Sequence, residues 1–249
     1  MSPHQQNGKI IVFTGPVASG KTTQRLLLSQ YIGKKFTTLT FTFSPFSLTS
    51  YAVLSLLKSL TLVSHSKLKW LNRRKSHSMA FLETVNKPLV TRILKLLVLL
   101  DLIQETEILF LLNILLRLGI YVFVEDFVPT VTLEHILYLK LYRGESISTN
   151  RLIGKLFRIM HRIFSEKLSA KVLCIHLQSS SGVRLLRSIK RGRGIIDSHT
   201  MHDYVHEQCL MNVTSNMCRN LVVIETSDMS VVEVFREILD QIGTAGLLR

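Results

Sequence analysis

Residues 13–24 read FTGPVASGKTTQ, directly after the apolar start of the run KIIVFT at 9–14. Gly15 and Gly20 bracket four residues and are followed at once by Lys21, Thr22 and Thr23. This order demands a strand, a tight glycine-bounded loop and a helix, and it satisfies the phosphate-loop pattern in its confirming context. The spacing has a physical cause. Successive backbone N–H groups turn inward as an anion nest, and the helix that follows directs its positive end at the phosphates. Lys21 reaches the terminal phosphates and the Thr22 hydroxyl is placed to ligate Mg²⁺. The plainer alternative is a glycine turn at a strand-to-helix junction, with Lys21 a solvated surface charge.

The rest of the chain alternates in the same way. Short runs rich in β-branched and aromatic residues lie at Lys9–Thr14, Thr37–Phe43, Ile120–Glu125, Lys171–Leu177 and Asn220–Thr226. Helical patterns fall between them, at Gly20–Lys34, across Ser50–Leu118 and over Thr130–Leu168 with a break near Arg143–Glu145. Others follow at Gly182–Lys190, His199–Cys218 and Ser230–Ile242. Such alternation predicts a parallel sheet covered by helices on both faces. With 249 residues, 47% of them hydrophobic, the chain can bury one large core, so a single domain is expected over 1–249.

Composition narrows the partners without choosing one. The formal charge of +14, from 31 Lys+Arg against 17 Asp+Glu, attracts nucleotides, nucleic acids or anionic lipid surfaces. Cys174, Cys209 and Cys218 are odd in number and follow no metal or redox spacing, which suits inert thiols in a reducing compartment. MSPHQQNGK at the start lacks a secretory pattern, and the apolar region Ile93–Leu118 is interrupted by Lys95, Asp101, Glu105 and Glu107. A cytoplasmic protein without a membrane span is expected.

Phosphoryl transfer also needs a carboxylate near the metal, at the end of a neighbouring strand. YVFVEDF supplies Glu125 and Asp126 there, although acidic residues also favour that position as helix caps. GVRLLRSIKRGRG, at 182–194, packs Arg184, Arg187, Lys190, Arg191 and Arg193 into a short helix and a glycine-bearing loop. Arginines at this density can close over a transferring phosphoryl group, with Gly192 and Gly194 letting the segment move. A solvated basic face or a nucleic-acid contact is the alternative. Trp70 among Lys67, Lys69, Arg73, Arg74 and Lys75 reads as a solvated helix end with the indole turned to the core, or else as a stacking or membrane-interface group. His199, His202, His206 and Cys209 share one helix face, but a single helix wraps four ligands around Zn²⁺ poorly.

In this order of parts the chain resembles the thymidylate kinase-like branch of the P-loop nucleoside monophosphate kinases, from about Lys9 to Leu239. GKTTQ at 20–24 is similar to that family's loop. LLVLLDLIQETEILFLLNILLRLGIYVFVEDF resembles its apolar helix with an internal aspartate and then its carboxylate-bearing strand. VRLLRSIKRGRG looks like its arginine-bearing lid, at about 182–200, and NLVVIETSDMSVVEVFREIL like its last strand and helix. The resemblance implies a three-layer α/β/α P-loop NTPase fold, with a five-stranded parallel sheet and the phosphate-loop strand central. It implies ATP and Mg²⁺ as cofactors and a nucleoside monophosphate or related acceptor.

ATP would lie on Gly15, Pro16, Val17, Ala18, Ser19, Gly20, Lys21, Thr22 and Thr23. The metal would lie at Thr22, Glu125 and Asp126, and catalysis would fall to Lys21, Glu125, Asp126, Arg187, Arg191 and Arg193. Departures cluster on the acceptor side. Asp126 and Phe127 stand where the family has an arginine and an aromatic, Val17 where it has an acid in the loop, and Leu102 where an arginine follows the helix aspartate. FSPFSLTSY after the second strand also lacks the expected arginine, and residues 47–88 diverge most. Two functions therefore stand: a phosphotransferase acting on a nucleotide-like acceptor, and an ATP-operated switch with a basic surface for nucleic acid or a protein partner. A homodimer is compatible with either.

Overall fold

Continuous runs of Ile, Val, Phe and Leu form the three central strands, which neither face of the sheet exposes, while the two edge strands stay partly open to solvent. β1 is Ile10–Thr14, β2 Thr38–Thr42, β3 Tyr121–Glu125, β4 Val172–Gln178 and β5 Asn220–Glu225. All pairings are parallel and the order is β2-β3-β1-β4-β5, which puts the strand ahead of the glycine loop at the centre. Each expected run is within a residue of its strand. The computed structural model describes residues 8–16, 18–42, 87–128, 130, 151–190 and 210–244. The helices among them are α1 (Lys21–Gly33), α2 (Lys87–Arg117), α3 (Arg151–Ile163), α4 (Ser181–Lys190) and α5 (Val231–Thr244), with a further helical stretch at residues 210–217.

The chain divides into two compact units. One comprises Met1–Ser44, Leu109–Leu133 and Arg162–Arg249 and holds the sheet, α1, α4 and α5. Its core lies where alternate residues of the strands meet two helices: Ile11, Phe13, Tyr121, Phe123, Leu173, Ile175, Leu177 and Ile224 with Leu28 and Ile32 of α1 and Val234, Ile238 and Ile242 of α5. Ile10, Val12, Val122, Val124 and Cys174, which point the other way, are equally buried, so the sheet is covered on both faces. Phe127 and Phe164 meet edge to face with ring centres 5.7 Å apart. α5 begins with a reciprocal cap: the Ser230 amide donates to Glu233 Oε2 (2.7 Å) and the Glu233 amide to Ser230 Oγ (3.3 Å). Hydrogen bonds from the Ser230 amide, and next from its hydroxyl, to the ionised carboxylate hold the Glu233 pKa below its ordinary value.

The other unit comprises Pro45–Ile108 and Glu134–His161. Its described residues are the first part of α2, with Val98 and Leu102 buried, and most of α3, with Ile153 and Met160 buried. Leu102, at the position where the resemblance expects an arginine, is an ordinary core residue. The divergent segment 47–88 lies almost wholly outside the described residues, as do Trp70 and the set His199, His202, His206 and Cys209.

The reading of three inert thiols does not hold. Cys174 in β4 and Cys218, just ahead of β5, are joined as a disulfide with Cα atoms 6.3 Å apart. Parallel pairing of β4 with β5 aligns Cys174 with Leu221, so the chain entering β5 passes Cys218 alongside β4. Spacing in sequence carried no sign of it, and the bond removes cysteine usage as grounds for a reducing compartment.

Candidate active site

The loop forms at the C-terminal end of the central strand. Gly15 (φ +132°) and Gly20 (φ +104°) take conformations that side chains disfavour, and a Cβ on Gly15 would run into the Leu177 carbonyl of β4. Ala18 is also left-handed (φ 65°), and the Ser19 amide donates to the Pro16 carbonyl at 3.3 Å, closing a turn. Gly20 is the N-cap of α1 and brings no side chain to its amides, and no acid stands in the first turn. The positive end of α1 is thereby left for an anion, and among the described residues nothing beyond Gly20's own neighbours in the chain and helix comes within 4 Å of the position of a Gly20 Cβ.

Lys21 turns back over this loop. Its ammonium donates to the carbonyl of Gly15 at 2.6 Å and of Pro16 at 3.2 Å, and lies 3.6 Å from Asp126 Oδ1. Asp126 follows β3 in a left-handed conformation (φ 54°), its amide bonded to the Phe13 carbonyl of β1. The neighbouring Glu125 faces α1: the Thr22 hydroxyl lies 2.9 and 2.8 Å from its two oxygens and donates to them. Arg25, one turn further along α1, approaches the same carboxylate at 3.8 Å and donates to the Phe41 carbonyl of β2 at 3.4 Å. Lys21, Thr22, Glu125 and Asp126 are therefore brought together by α1 and the adjacent ends of β1 and β3. A hydroxyl and carboxylates, all hard oxygen donors, form a set that suits Mg²⁺.

On the other side of the loop α4 is tied in. Arg187 of α4 donates to Thr226 Oγ1 at 3.2 Å and to the Thr226 carbonyl at 2.6 Å. Buried Thr226 donates its amide and hydroxyl to the Gln178 carbonyl at the end of β4, both at 2.8 Å, and its hydroxyl is 3.4 Å from the Ser19 carbonyl. Arg187 thus meets the turn after β5, one residue removed from the phosphate loop. Arg191, Arg193 and Val17 lie outside the described residues.

Reading the sequence missed Thr226, Arg25 and His176. Arg25 had a signal, three positions after Thr22 on the same helix face. His176 had another, a polar residue inside the apolar run KVLCIHL. It is fully buried opposite Thr14, with Nδ1 and Thr14 Oγ1 2.9 Å apart in a hydrogen bond whose direction follows the tautomer. Burial first, and the Lys21 charge second, bring its pKa down from 6.5 to about 4.

The chain is similar in structure to the thymidylate kinase from Candida albicans, with a TM-score of 0.55 at 15% identity over 98% of this chain and 94% of that one. The chain has the thymidylate kinase fold. The thymidylate kinase from Ehrlichia chaffeensis aligns over 95% of this chain and 99% of its own at 12% identity, with a TM-score of 0.49. No family model and no curated protein sequence matches the chain. At such identity the thymidylate kinase fold is what is shared, and the chemistry has to be argued from the side chains present.

Proposed function

We propose that the chain is an ATP-dependent phosphotransferase that moves the γ-phosphoryl group to a nucleoside monophosphate or related acceptor. The observation that carries this reading is the contact of the Thr22 hydroxyl with Glu125, beside Lys21, at the open end of α1. The backbone N–H groups of 15–23 other than Pro16, which has none, and the helix end would hold the phosphates. Lys21, now resting on the Gly15 and Pro16 carbonyls, would exchange those partners for phosphate oxygens and offset charge there. Mg²⁺, when bound through Thr22 and Glu125 with Asp126 close by, supplies charge neutralisation on the transferring group. Arg187, with Arg191 and Arg193, would bring further positive charge over the loop.

Incubation of the protein with ATP, Mg²⁺ and a panel of nucleoside monophosphates tests the reading. ADP formation that depends on one acceptor supports it. ATP binding with no acceptor-dependent turnover supports instead a nucleotide-operated switch, which the loss of acceptor-side arginines such as that at Leu102 favours. Lys21→Ala is expected to abolish ATP binding or turnover, read by nucleotide titration and ADP release; unchanged values would remove the loop from the mechanism.

A further inference from the structure

α3 carries a surface that the candidate active site does not use. Arg151, Lys155 and Arg158 are exposed and fall within about 60° of one another on a helix of 3.6 residues per turn. Beside that row, about a quarter turn round, stand Leu152 and Ile159, which are 54% and 39% exposed. The opposite side of the helix is buried, through Ile153 and Met160. No Asp or Glu occurs between Glu145 and Glu166, and among the described residues Arg151, Lys155 and Arg158 make no ion pair. Arg162, next along the row, is already answered by Glu166 at 3.7 Å.

We propose that this face of α3 docks on an anionic lipid surface. The cations provide long-range attraction to acidic headgroups, and their aliphatic stems can lie flat while the charges reach outward. Leu152 and Ile159 then enter the boundary between headgroups and acyl chains, the division of labour expected of a helix lying in the plane of a membrane. On the other flank of the row the exposed His161 ring lies against Phe157, 6.3 Å between centres, so the flank of Leu152 and Ile159 is the one that decides between polyanions. Leucine and isoleucine offer a nucleic acid neither a stacking ring nor a hydrogen-bonding group, whereas they gain by leaving water for lipid. No described helix is long and apolar enough to cross a membrane, so the association is peripheral.

Sedimentation with vesicles tests this on the full chain. The protein is expected to bind vesicles containing phosphatidylglycerol and not vesicles of phosphatidylcholine alone, with binding weakened by salt. Each cation near the surface contributes about fivefold, so the triple variant Arg151→Gln, Lys155→Gln, Arg158→Gln should lose about a hundredfold in partitioning. Removing three exposed charges elsewhere, through Lys34→Gln, Lys35→Gln and Arg219→Gln, should cost far less. Leu152→Ser with Ile159→Ser should weaken vesicle binding and leave retention on a double-stranded RNA probe unchanged. Equal losses in the two triple variants would reduce the effect to net charge and overturn the proposal. So would vesicle binding indifferent to the serine pair, or binding to the RNA probe with none to either kind of vesicle.

Discussion

His176 should make the fold lose stability on mild acidification. The imidazole is fully buried in β4, and among the described residues its Nε2 has no hydrogen-bond partner. Its pKa is about 4 in the folded chain against 6.5 when solvated. A base whose folded pKa is depressed takes up its proton in the unfolded chain first. Its contribution is therefore intact above about pH 6.5 and is lost progressively until pH falls through about 4. The gap of about 2.5 pH units corresponds to about 3 kcal/mol in full, of which about 2 kcal/mol is gone by pH 5. Urea unfolding at pH 7.5 and pH 5.0 measures it, with His176→Gln as the reference because glutamine keeps a polar partner for Thr14. Carboxylates that titrate elsewhere act on both proteins, so the difference between their declines isolates the imidazole. The wild type should lose about 2 kcal/mol more than the variant over this interval. Parallel declines, or a steeper one in the variant, would refute the argument.

Reducing Cys174–Cys218 frees a loop of 44 residues, for which chain entropy gives about 4 kcal/mol of lost stability; the urea midpoint with and without reductant checks it, and Cys218→Ser should abolish the difference. Gly15→Ala forces a Cβ against the Leu177 carbonyl at φ +132°, so a cost above about 2 kcal/mol is expected together with weaker ATP binding, read by thermal unfolding and nucleotide titration. Glu125→Gln should raise the Mg²⁺ concentration needed for tight nucleotide binding by at least about tenfold while leaving metal-free binding near wild type, measured by magnesium titration.

The parts of this molecule that showed in the sequence are those set by near neighbours. KIIVFT and YVFVED announced buried strands because a parallel strand covered on both faces has no polar side to interrupt it. The loop was legible because its glycines, Lys21 and Thr22 act through main-chain geometry fixed within eight residues, 15–22. Glu125 was legible because it ends a strand. What stayed hidden depends on pairs far apart along the chain: Thr14 with His176 is separated by 162 positions, and Ser19 with Thr226 by 207. Only the strand order brings such residues to one end of the sheet. The cysteine bond failed for the same reason, since Cys218 meets Cys174 through the β4 and β5 register and through no local spacing. Arg187 was recognised by its charge, but its hold on Thr226 depends on that same convergence.

The bond between Cys174 and Cys218 also changes what the arginine-rich stretch is mechanically. Everything from the end of β4 through α4 to the start of β5 becomes a hoop stitched at its base to two neighbouring strands. A cut anywhere along it would leave both ends fastened to the same sheet.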